Sequence, residues 1–198
     1  MPYATRRKDV LMQATTATSS ITRERVIAIA KAVAITIGFA AAYVVMTVYS
    51  PVLAKSSFAG MAFGSTLRIA NVLRAFSLVT PLAPIGTFFG SIAMDAGNPW
   101  GAALTPALNT AVGLGVWTIS RRIGRSVAKD LCLLAIYGLL SALIVTFTNA
   151  GMAVLVSGAA FLPLVKGLIG FKVLTSMAIY MAGYPLVGAW EYASRRAR

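Results

Sequence analysis

From Val26 the chain reads Val-Ile-Ala-Ile-Ala-Lys-Ala-Val-Ala-Ile-Thr-Ile-Gly-Phe and continues to Tyr49 with Lys31 as its one charge. A helix built from this run is apolar on every face, and roughly 20 helical residues suffice to cross a hydrocarbon core of ~30 Å. Transmembrane strands would instead alternate apolar and polar residues over ~10 positions, which this run does not do. Lipid offers backbone groups no hydrogen bonds, so helices or closed barrels are the only spanning structures. An all-α, polytopic membrane protein is therefore expected. Composition agrees: 58% of residues are hydrophobic and 12% charged, against about a quarter charged in soluble domains.

The net charge of +13 raises the possibility of a nucleic-acid partner, and the placement of the basic residues argues against it. Arg6, Arg7, Lys8, Arg23 and Arg25 precede the first apolar run, Arg121, Arg122, Arg125 and Lys129 share a central loop, and Arg195, Arg196 and Arg198 close the sequence. Clusters at helix ends follow the positive-inside bias and place these segments in the cytoplasm, facing anionic lipid. A nucleic-acid groove would interleave basic and aromatic residues on one soluble face. The expected location is the plasma membrane, multi-pass, with both termini cytoplasmic.

Pro and Gly divide the rest. Residues 1–22, polar and basic without a signal-peptide pattern, are expected to form a cytoplasmic tail. A membrane domain over 23–192 and a short basic tail over 193–198 complete the chain. The first span covers about 26–49 and stops at Pro51, and a loop over 50–65 with Gly60 and Gly64 follows as a lid. A short second helix over about 66–80 breaks at Pro81 and Pro84, and a short third runs to about Ala96. Longer spans over 100–120, 130–148 and 166–192 complete a six-transmembrane-helix bundle with short or broken second and third helices. Elements too short to cross must be housed by protein or line a cavity. A Pro-kinked hairpin without a cavity is the alternative.

Catalysis lacks its usual residues. There is no His, Cys132 is the single cysteine, and no phosphate-binding Gly-rich loop ending in Lys-Ser/Thr occurs. No metal, catalytic or cofactor site is expected, and the chain is not expected to be an enzyme.

The second helix carries Arg68, Asn71 and Arg74. A charge at mid-bilayer costs at least ~2.5–3.5 kcal/mol, so these residues need compensation. At 100° per residue they form a polar stripe about 120° wide centred on Asn71. Snorkelling to the interface is the alternative for Arg68 and Arg74, and the expectation for Lys31, Lys166 and Lys172. Asp95, Asn98, Trp100 and Asn109 flank the next outer turn. With Arg68 and Asn71 they would give an outward-facing pocket a carboxylate, amides, a guanidinium and an aromatic face, a set suited to a flat heterocycle. Asp95 could equally pair with Arg68 as a structural bridge.

In the first span, small residues recur at every fourth position: Ala28 and Ala32 on one row, Ala30, Ala34, Gly38 and Ala42 on the next. Such rows form a shallow groove for close helix packing. The partner could be this chain's own bundle or a separate membrane subunit.

The stretch from Leu67 to Gly113 resembles the substrate-binding (S) components of energy-coupling factor transporters, and most closely the queuosine-precursor transporter family, QueT. The resemblance rests on Leu-Arg-Ile-Ala-Asn-Val-Leu at 67–73, Pro84-Ile-Gly86 with Phe-Phe-Gly90, and Trp-Gly-Ala-Ala-Leu-Thr-Pro-Ala-Leu-Asn-Thr at 100–110. The alanine rows and Gly-Tyr-Pro-Leu at 183–186 support it. It implies a six-helix fold whose first-helix alanines dock on a transmembrane coupling subunit, with two ATP-binding subunits consuming ATP from the cytoplasm. The implied substrate is a 7-deazapurine such as a queuosine precursor. The family pattern has Glu where this chain has Asn71, which favours a neutral base over a cationic one. A self-sufficient carrier or channel acting as an oligomer, and a membrane scaffold without a ligand, are the other readings.

Overall fold

The computed structural model describes residues 3–55, 69–94, 99–158 and 160–196, with side chains described for 23–49, 69–94, 103–158, 160–167, 169–170 and 172–196. The described residues form helices and turns only: α1 (Tyr3–Lys55), a 3₁₀ helix (Ile69–Leu78), α2 (Leu82–Met94), α3 (Pro99–Ile123), α4 (Val127–Ser157), α5 (Phe161–Ala182) and α6 (Tyr184–Arg196). Among the described residues, three stretches are long and apolar enough to cross a bilayer: Arg23–Tyr49, Val127–Ser157 and Lys172–Arg196. Large apolar side chains such as Ile37, Val48, Leu155, Leu162 and Leu174 stand on the surface. A water-soluble monomer rarely carries that much exposed apolar area, so these surfaces are compatible with lipid around the helices.

Met1–Ile35 and Thr36–Arg198 are two compact units. In the first, the helix of α1 begins at Tyr3. The expected tail over 1–22 is thus helical from its third residue, and α1 also continues past Pro51 to Lys55. Pro removes one intrahelical hydrogen bond without obliging the chain to turn.

Within the second unit the 3₁₀ helix is the hub, contacted by α2, α3, α5 and α6. Seven of its ten residues, from Ala70 to Leu78, are buried. Its backbone lies against Gly183, where an added Cβ would fall 2.5 Å from both the Val72 carbonyl oxygen and the Ala75 Cβ. That approach requires glycine where the last span, expected as one helix over 166–192, divides into α5 and α6, and Pro185 two residues on has no N–H to continue the helical ladder. Gly86 and Gly90 of α2 admit α1 in the same way, since a Cβ on either would strike Phe39, Thr36 or Tyr43. Phe39, Phe76 and Trp190 meet ring to ring at 5.4–6.1 Å and join α1, the 3₁₀ helix and α6.

The turn between α3 and α4 follows local chemistry. Gly124 takes the left-handed conformation at φ 69°, which costs glycine little, and α3 ends there. Ser126 then caps α4 by accepting from the Lys129 N–H. Arg125 donates to the buried Asp130 carboxylate through Nε and Nη2 at 3.0 and 2.9 Å and also pairs with Glu191 of α6. Partial burial of the guanidinium opposes its charge, yet the bonds to Asp130 and the charges of Asp130 and Glu191 outweigh this and hold Arg125 above its ordinary pKa. At the other end α4 passes Thr148, where it was expected to stop, and ends at Gly158, whose N–H bonds the Val154 carbonyl at φ 66°. Asn149 and Gly151 weaken a helix by at most about 1 kcal/mol each, too little to end one rich in Ala, Leu, Met and Val.

Candidate functional site

A 3₁₀ helix turns once every three residues, so side chains at i and i+3 eclipse. Asn71, Arg74 and Ser77 therefore stand in one row along Ile69–Leu78, narrower than the stripe expected from α geometry. Arg74 and Ser77 are buried and Asn71 half-buried. Arg74 is 5% exposed, so it does not snorkel. Its Nη1 donates to the Tyr180 hydroxyl at 3.3 Å, and Tyr180 passes a hydrogen bond to Ser141 Oγ at 2.8 Å. Ser141 lies about 21 Å along α4 from Val127 at 1.5 Å per residue, close to the midpoint of that helix. The guanidinium thus sits half-way along the bundle.

A second limb lies beside it. The Tyr137 ring meets the Tyr180 ring edge to face at 4.7 Å, and the Tyr137 hydroxyl donates to the Asn109 carbonyl at 3.0 Å. Gly113 makes room for that hydroxyl: a Cβ there would lie 2.5 Å from the phenol oxygen and 3.2 Å from Ser77 Oγ. The Asn109 amide donates to the Thr105 carbonyl at 3.0 Å. Four elements thereby converge on a polar cluster of Arg74, Ser77, Asn109, Tyr137, Ser141 and Tyr180.

The cluster is incompletely bonded. Arg74 Nε, Ser77 Oγ and Asn109 Oδ1 are buried without a hydrogen-bond partner. Unpaired buried polar atoms cost about 1–3 kcal/mol each, more when charged. No carboxylate among the described residues is bonded to Arg74; Asp130 and Glu191 are engaged by Arg125.

Of the sequence-expected pocket residues, Asn109 belongs to this cluster and Asn71 to the row that carries Arg74. Trp100 falls in the first turn of α3 with its side chain outside the description, and Arg68, Asp95 and Asn98 lie outside the described residues. Tyr137 and Tyr180 carry no motif in the sequence; their sign is a phenol in mid-span instead of at an interface. Lys172, expected to snorkel, is 4% exposed within α5. On α1, the buried positions are Phe39, Tyr43 and Thr47. The small row lies elsewhere: Ala30, Ala34 and Gly38 are exposed and Ala42 half-buried, with open space around Gly38. Ala28 is exposed and Ala32 half-buried.

No family model, curated protein or solved structure matches the chain.

Proposed function

We propose that this chain is the substrate-capturing membrane subunit of an importer of the energy-coupling-factor type. It takes up a small planar heterocycle of the 7-deazapurine class from outside the cell and is powered by separate coupling and ATP-binding subunits. The observation that carries the reading is the polar cluster half-way along the bundle, with unpaired donor and acceptor atoms on Arg74, Ser77 and Asn109. Polar groups at membrane depth are expensive and mark ligand pathways. Short elements beside them, here Ile69–Leu78 and Leu82–Met94, are how transporters house a site at that depth.

In this proposal six spans are formed by α1, the 3₁₀–α2 hairpin taken as two, α3, α4 and the α5–α6 pair, with the basic clusters in the cytoplasm. The small-residue row of α1, exposed at Ala34 and Gly38 with open space around Gly38, supports docking of a coupling subunit. The chain itself performs no chemistry and holds no ATP.

Binding of purine-like heterocycles to the purified chain, together with uptake into proteoliposomes, tests the proposal. High-affinity binding by the chain alone is expected, with uptake only when coupling and ATP-binding subunits are co-reconstituted. Ala32→Trp should block assembly with the coupling subunit and spare ligand binding, because an indole fills the small-residue groove. Ion-gradient-driven uptake by the chain alone would overturn the proposal.

A further inference from the structure

The guanidinium of Arg74 has one nitrogen committed and another, Nε, without a hydrogen-bond partner. Nη1 is held by Tyr180, whose own proton is given to Ser141, so the phenol is a neutral acceptor and contributes no counter-charge. Among the described residues, Tyr43 and Tyr137 also lie within electrostatic reach, and Tyr137 spends its proton on the Asn109 carbonyl. Nε remains without a partner in a side chain that is 5% exposed. Arginine keeps its charge in any protein environment, and its planar fork matches a carboxylate better than any other side chain does. Asn109 Oδ1 and Ser77 Oγ, also buried and unpartnered, add an acceptor and a hydroxyl to the same cluster.

From this we infer that Arg74 receives a carboxylate of the ligand, and that the cluster selects planar rings bearing an ionised carboxylate over neutral or cationic rings of the same shape. The Tyr137 and Tyr180 rings, set edge to face, bring aromatic surface to the same cluster. The inference rests on the chain being a ligand-binding subunit, and it narrows the substrate class: the ring carries its negative charge toward Arg74, with Asn109 Oδ1 available to a ring N–H.

The test is a matched set on the purified full-length chain in detergent. Three rings of the same size, 7-deazaguanines carrying a carboxylate, a nitrile or an aminomethyl group at one carbon, are compared by calorimetry. Benzoate and benzamide serve as a second pair without the purine-like body. Expected are at least tenfold tighter binding of the carboxylate than of either matched ring, and loss of that preference in Arg74→Gln. If Arg74→Gln does not fold, competition between the carboxylate and nitrile rings on the unsubstituted protein decides alone. Equal or tighter binding of the nitrile or aminomethyl ring overturns the inference and leaves the importer proposal standing. Benzoate binding through Arg74 with no response to any deazaguanine upholds the carboxylate assignment and removes the deazapurine class. No binding by any carboxylate overturns the inference.

Discussion

Arg74 is a residue whose cost is visible in its surroundings: a buried cation, an idle Nε, and no carboxylate among the described residues bonded to it. A side chain retained for stability would be missed when removed, whereas an uncompensated buried charge can be replaced by an apolar group of similar length with little loss or a gain. Arg74→Met is therefore expected to leave the ligand-free protein as stable as before or more so in thermal unfolding in detergent, while ligand binding is lost. Tyr180→Phe should do the opposite to stability, costing about 1–3 kcal/mol, because it strips the hydroxyl that serves both Arg74 and Ser141. The expense of Arg74 is legible from its place in an apolar sequence. Its partners are not, because Tyr137 and Tyr180 come from helices far along the chain and only packing brings them together.

Among the elements, those set by local chemistry are the ones the sequence discloses. The apolar run over 26–49 lies within α1, and the turn from Arg121 to Lys129 is where Gly124 and Ser126 end one helix and begin the next. The break at Pro81 likewise separates the 3₁₀ helix from α2. What local chemistry conceals is the close approach of a neighbour. Gly183 ends α5 at an ordinary helical φ, and its absent side chain matters because Val72 and Ala75 occupy that space. Gly183→Ala should thus destabilise the fold by at least about 1–3 kcal/mol, since a backbone carbonyl cannot rotate aside as a side chain can. Gly115, with nothing within 4 Å of an added Cβ, provides the control: Gly115→Ala should be neutral or stabilising in the same assay.

At the scale of the whole molecule, Arg125 joins the start of α4 to α6 through Asp130 and Glu191 at the basic end. Arg125→Ala leaves a buried carboxylate without its guanidinium, and a loss of about 1–3 kcal/mol is expected, below the full value for a buried pair because Arg125 is 29% exposed. Glu191→Gln, at the more exposed end of the bridge, should cost under about 1 kcal/mol. The all-helical class was legible because the apolar runs are too long and too uniform for strands.

The winding of Ile69–Leu78 has a consequence for the row of polar groups it carries. Ten residues at about 2.0 Å each extend some 5 Å farther than the same ten in an α-helix, and the tighter pitch alone keeps Asn71, Arg74 and Ser77 in register. Relaxing the segment to α pitch would retract it by that length and splay the three groups over about 120°. The guanidinium would then leave the Tyr180 phenol, and the four helices packed on this segment would have to repack around it.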